Sequence, residues 1–225
     1  MTADFEQFPN GVSLRADARL NRDRILAAAR DAFVERGADV PLEEIAARAG
    51  VGIATLYRRF PDRSALQRAV AHDVLTRIAA EARAAIDEEP DAFAALTRYM
   101  HRALALQVSA VVPALLGRVD LEDEAFRTIR MESASLLEEM IDRAQLEGAM
   151  RPGIAFGDIA LLLVRLSRPL PGTLDRERDL EMAQRHLTLL IDGLRTERAT
   201  GALPGPELTL DDLRSLPTEP AEAQG

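Results

Sequence analysis

Apolar residues recur at spacings of three and four along most of the chain and nowhere alternate one by one, so the pattern predicts helices and no strands. Ile25, Ala28, Ala29, Ala32 and Phe33 form the buried stripe of a first long helix, with Asn21 as its N-cap and Gly37 as its end. Two short helices follow. Leu42, Ile45, Ala46 and Ala49 share one face of the first, and Gly50 stands where a left-handed C′ residue is favoured. Val51 plugs the corner and Gly52 is an acceptable N-cap for the second, Ile53 to Phe60, whose apolar face is Ile53, Leu56 and Phe60.

Asp62 can cap a fourth helix reaching about Asp87, with Leu66, Val70, Val74, Ile78, Ala82 and Ile86 inward. Glu88-Glu89-Pro90 marks a boundary. Beyond it the pattern predicts helices over 91–112, stopped by Pro113, and over 121–150, with Phe126, Ile129, Leu136, Leu137, Met140 and Ala144 inward. Two more span 158–167 and 175–198, giving about nine helices and an all-α fold. Residues 1–20 read as a flexible N-terminal arm and 199–225, rich in proline, glycine and acids, as a disordered tail with one turn near 211–216. Arg15, Arg19, Arg22 and Arg24 fit either an arm along a DNA groove or a solvated leader.

The two short helices around a glycine turn read as a helix-turn-helix. With Ile53, Leu56 and Phe60 accounting for the apolar side, Ala54, Thr55, Tyr57, Arg58 and Arg59 are left on a small, hydroxyl-bearing and cationic face suited to double-stranded DNA. Arg48, near the end of the preceding helix, is a weaker candidate that fits an exposed arginine equally well. Net charge sharpens this picture. The chain carries −9, yet residues 1–66 hold ten arginines and ten acids, so the acidity lies outside the candidate reader. Every basic residue is arginine, which fits phosphate recognition but also a biased codon usage.

With no cysteine, disulfides and thiol chemistry are excluded. No apolar run reaches membrane-spanning length and no secretory leader is visible, so cytoplasmic residence is expected. His72, His101 and His186 have no partners at metal-ligand spacing; no metal, cofactor or catalytic residue is expected. No nucleophile motif or phosphate loop points to an enzyme.

Taken together, Ile25-Leu26-Ala27-Ala28-Ala29, Phe33, Gly37, Ile45-Ala46, Ala49-Gly50-Val51, Thr55-Leu56-Tyr57, Phe60 and Leu66 resemble the tetracycline-repressor-like (TetR) family of transcriptional regulators over roughly residues 20–68. The resemblance implies a DNA-binding head (21–68), a helical ligand-binding and dimerising body (69–198), and a homodimeric repressor released from an inverted-repeat operator by a small hydrophobic or amphipathic molecule. It also implies that Tyr57 and Thr55 meet DNA and that Arg63, standing where the family commonly has lysine, lies near a phosphate. Pro41 and Gly52 depart from the family's capping threonine and serine, which puts phosphate contacts at 41 and 52 in doubt although Gly52 and Ile53 stay in the reading region.

Within the body, Thr97, His101, Gln107, Arg130 and Ser133 are isolated polar groups on otherwise apolar helices, the pattern of a ligand pocket or of satisfied core residues. Arg165 among leucines implies a paired, buried arginine. Leu187, Leu190, Gly193 and Leu194, with Leu162 and Leu166 on the neighbouring helix, are the expected two-fold interface; intramolecular core is the alternative. A constitutive regulator or a helical partner-binding module is the rival function.

Overall fold

The computed structural model describes residues 10–115, 118–120, 123–168 and 175–215. Among them are ten α-helices, one 3₁₀ turn and no strand: α1 Asn10–Arg36, α2 Leu42–Arg48, α3 Ile53–Arg59, α4 Arg63–Glu88, α5 Ala92–Ala105, α6 Val108–Ala114, α7 Glu124–Leu146, α8 Phe156–Leu166, α9 Arg176–Leu194, the turn Thr196–Arg198, and α10 Leu210–Ser215. The chain divides into two compact units, Met1–Val70 and Ala71–Gly225, with α4 contributing to both.

In the first unit α1 packs on α2 and α2 on α3. Ile25, Ala29, Ala32 and Phe33 of α1, Ile45 of α2, Leu56 of α3 and Leu66 of α4 are all but inaccessible to solvent, so apolar stripes from four helices close one core. Helix α1 is longer than its apolar stripe. It begins at Asn10, and Asn21 lies inside it and caps nothing. The stretch after Gly11 holds leucine, alanine and arginine without a breaker, so the polar turns simply extend the helix. The expected arm over 10–20 is therefore helical, and its first nine residues lie outside the described residues.

The second unit is built around α5, which packs on α6, α7, α8 and α9. Phe93, Leu96, Met100 and Leu104 of α5 meet Leu137, Met140 and Ile141 of α7, Leu163 of α8 and Leu187 and Ile191 of α9 in one apolar cluster. The single helix expected over 91–112 is two. The chain breaks at Gln107, whose backbone is left-handed (φ 56°), and Pro113 sits inside α6 without ending it. Proline here only removes one N–H close to the end of a seven-residue helix. Helix α7 starts at Glu124, where Asp123 accepts from the Ala125 amide at 3.0 Å.

Residues 199–215, expected to be disordered, lie on the body. Gly157 at the start of α8 donates its amide to the Leu208 carbonyl at 2.7 Å, and α10 packs on α8. A Cβ at Gly157 would stand 2.5 Å from that carbonyl oxygen, so only glycine permits the approach. Thr209 and Asp212 form a reciprocal capping box: the Thr209 amide reaches Asp212 Oδ2 at 2.9 Å, and the Asp212 amide reaches Thr209 Oγ1 at 3.2 Å. The turn expected near 211–216 corresponds to α10, and what composition concealed is its docking on α8. The expectation for 216–225 lies outside the described residues.

Candidate nucleic-acid interface and ligand-binding body

Helix α2 ends in the predicted glycine turn. Gly50 takes φ 67°, its amide reaches the Ala47 carbonyl at 3.1 Å, and Val51 reaches Ala46 at 3.0 Å. This pair of bonds satisfies the last carbonyls of α2 and turns the chain at once into α3. As the departures at positions 41 and 52 suggested, neither Pro41 nor Gly52 makes a side-chain cap. Backbone carbonyls serve instead, with Gly52 accepting from Thr55 at 2.8 Å.

Helix α3 buries Leu56 completely, and Phe60 just beyond it is 5% exposed. Ile53 is half-buried at the border, so it supports the face more than it lies on it. Ala54, Tyr57, Arg58 and Arg59 point to solvent, with Thr55 half-buried; Tyr57 keeps 46% of its surface accessible. Arg58 Nη2 donates to Thr55 Oγ1 at 2.8 Å, which fixes one edge of its guanidinium along the helix. An exposed tyrosine ring beside two arginines can make van der Waals, phosphate and base-edge contacts in a groove.

Two arginines are less free than sequence suggests. Arg48 Nη1 donates to Glu35 Oε2 at 2.8 Å and Nη2 lies 3.7 Å from Glu44, so its charge is compensated by α1 and its own helix. Arg63 turns inward: its Nη1 donates to the carbonyls of Val40 at 2.6 Å and Ala38 at 3.2 Å. Buried Gln67 adds a 3.0 Å bond to Ala38. The tight link between α1 and α2 leaves carbonyls that no helix satisfies, and α4 supplies the donors. That bracing role was missed, and the signal for it was the short non-helical link itself. Arg63→Ala is expected to lower the stability of the first unit by about 1–3 kcal/mol. A fall in melting temperature by circular dichroism would show it, whereas an unchanged melt with a flatter salt dependence of DNA binding would restore the phosphate contact.

Of the five polar candidates of the body, Gln107 alone lines one of the two cavities described below. Thr97 and Arg130 are half-buried. His101 Nδ1 donates to Gln184 Oε1 of α9 at 2.5 Å, while Gln184 Nε2 returns a 3.1 Å bond to the His101 carbonyl. Ser133 is buried and hydrogen-bonded to the Tyr99 hydroxyl. Glu132 pairs with Arg83 of α4 at 2.9 Å. Gln107 is buried with its Oε1 unpartnered. A cavity of about 60 Å³ lies beside Ile86, Ala92, Ala95 and Met140, and one of about 20 Å³ beside Gln107.

Burial of Tyr99 raises its phenol to about 12, outweighing the Ser133 bond that acts the other way. A raised pKa means that the folded state holds the proton more tightly. The associated stability is complete below about 10, the ordinary tyrosine value, and is lost as pH rises toward about 12. Melting curves should therefore fall across that window in the wild type and fall less in Tyr99→Phe.

The expected interface residues separate into two groups. Leu187 is fully buried with Ala183 and Ile191 in the core of its own chain, so it is corrected to core. Leu190 is 40% exposed, Gly193 has open space around its Cβ position, and Leu162, Leu166 and Leu194 are half-buried. Met182 and Leu189 extend the outward stripe. Residues at 183, 187 and 191 recur every four positions, which turns them inward and leaves 182, 189, 190 and 193 on the other side. Arg165 is exposed, not buried. Among the described residues, no helix is long and apolar enough to cross a membrane, and no group of three or more histidine or carboxylate side chains could hold a metal.

Residues 25–70 match the family model of bacterial regulatory proteins of the tetR family, and residues 89–196 match that of the SbtR-like transcriptional regulator C-terminal domain. A TetR transcription regulatory protein from Mycobacterium vanbaalenii is 36% identical, with 81% of this chain and 99% of that one covered at a TM-score of 0.56. A TetR transcriptional regulator from Streptomyces coelicolor is 33% identical over 77% and 98%, with a TM-score of 0.55. The TetR-like regulator LfrR from Mycobacterium smegmatis, solved with proflavine, shares the fold at 23% identity, 76% and 96% coverage and a TM-score of 0.53. No curated protein matches.

Proposed function

The chain belongs to the TetR family of transcriptional regulators, and from that premise we propose that it acts as a homodimeric repressor which a small apolar or amphipathic ligand releases from an inverted-repeat operator. The observation that carries DNA reading is α3: Leu56 anchors it, while Tyr57, Arg58 and Arg59 face solvent. Dimerisation is supported by the outward stripe of Leu189, Leu190 and Gly193 on α9. Two copies would place two recognition helices on successive major grooves, about 34–36 Å apart. Release requires that the ligand favour the state unable to hold DNA; tenfold weaker operator binding needs about 1.4 kcal/mol of differential affinity. Helix α4 is common to both units and is the covalent route for that coupling.

Duplexes selected from a random pool, followed by anisotropy titration at several salt concentrations, test the reading. Arg59→Ala is expected to reduce the salt slope by about one, and Tyr57→Ala to weaken binding by about 1–3 kcal/mol with the melt unchanged. Affinity independent of salt would refute phosphate recognition. The two small cavities favour a second reading, a regulator without a ligand, since drug-sized sites run to about 300–1,000 Å³. A thermal-shift screen that found no ligand would favour it.

A further inference from the structure

We propose that the cavity at the α5–α6 break is a binding site for a small apolar molecule carrying a hydrogen-bond donor, an alcohol, phenol or amine, with Gln107 as its acceptor. This deepens the ligand-responsive reading above and rests on it for its regulatory consequence, though not for the binding itself.

Three observations meet at Gln107. It is the one residue other than glycine with a left-handed backbone among the described residues, at φ 56°. It is nine-tenths buried, with 9% of its surface accessible. Its Oε1 has no hydrogen-bond partner. A buried carbonyl oxygen without a donor is unfavourable, and backbone held in a sparsely populated region clusters where ligands bind. The cavity of about 20 Å³ that Gln107 lines has Leu104, Leu166, Leu180 and Ala183 for its apolar wall.

The chemistry of the remaining polar group narrows the ligand. Ser167 also lines the cavity and is 9% exposed, and its hydroxyl proton is committed to the Leu163 carbonyl at 2.7 Å. It can therefore offer the cavity only lone pairs, and the Gln107 Oε1 adds a second acceptor next to the N–H donors of its own amide. Arg176 and Asp179 at the same place have partners of their own. Two acceptors on a leucine wall select a donor, and discriminate against an isostere that lacks one because the carbonyl would stay unpaired. The volume of about 20 Å³ suits one functional group or one water. Binding a whole molecule requires the short α6, which packs on α8, to give way.

Phenol and anisole, nearly the same shape with and without the O–H, are the probes. Methyl spectra of the full chain, titrated with each, should show phenol shifting Leu104, Leu166 and Leu180, with anisole roughly fivefold weaker. Gln107→Leu removes the acceptor and should bind the two equally. Should that variant fail to fold, Gln107→Gly, which adopts the left-handed backbone without strain, should abolish the preference in its place. No shift at those leucines, equal binding by wild type, or a preference that survives both substitutions would overturn the site and leave a single water on the carbonyl. Phenol binding that leaves selected DNA bound would sink the regulatory consequence and spare the site; DNA released by other compounds with phenol unbound would do the reverse.

Discussion

Leu190→Glu is expected to turn the proposed dimer into a folded monomer and to weaken operator binding by about a hundredfold or more. The side chain is 40% exposed in the single chain, beside Leu189 at 63% and open space at Gly193, so a carboxylate there is solvated in the monomer. In a dimer the same carboxylate would enter an apolar seam without a partner, which costs several kcal/mol per subunit. Loss of the dimer removes the second half-site contact, whose linkage is worth a factor of about 10²–10⁴. Leu187→Glu is the informative contrast. That position is wholly buried within one chain, so the substitution should unfold the body. Light scattering and circular dichroism separate the outcomes. A Leu190→Glu protein that remained dimeric would move the interface elsewhere on the surface.

Gly157→Val should detach the carboxyl-terminal segment from α8. The added Cβ would lie 2.5 Å from the Leu208 carbonyl oxygen and 2.7 Å from Leu208 Cγ, too close for either chain to absorb without moving apart. Overpacking of this kind costs about 1–3 kcal/mol, and here it also breaks the 2.7 Å bond from the Gly157 amide. Limited trypsin digestion followed by mass spectrometry should show faster cleavage after Arg195 and Arg198 in the variant. Gly201→Val, where a Cβ meets nothing within 4 Å, is the control and should digest like wild type. Equal rates for all three proteins would show that the segment is not held by this approach.

The head was legible in sequence because its determinants are local. A stripe at three and four, a glycine after the last apolar residue and a fully buried Leu56 lie within about twenty positions, and each constrains the next. The body was not, because its polar groups are satisfied from far along the chain. His101 meets Gln184 83 positions away. Ser133 meets Tyr99 on another helix. A stripe of leucines likewise cannot declare whether it faces its own chain or a copy. Leu187 and Leu190 read alike in sequence, and about a sixth of a turn around the helix separates core from surface. Arg63 illustrates the converse: a charge that looked available for phosphate braces Val40 and Ala38.

The segment after α9 has a kinetic corollary. Thr196 bonds to Ala149 at 3.1 Å, Arg151 to Leu194 at 2.9 Å, and Gly157 to Leu208, each closing a loop of more than forty residues. Such closures come late, since the turn between α7 and α8 must exist before the returning chain finds it. They are correspondingly early to open. Amide exchange at Gly157 and Thr196 should then outpace that in the middle of α5, reporting a partial opening that leaves the apolar cluster intact.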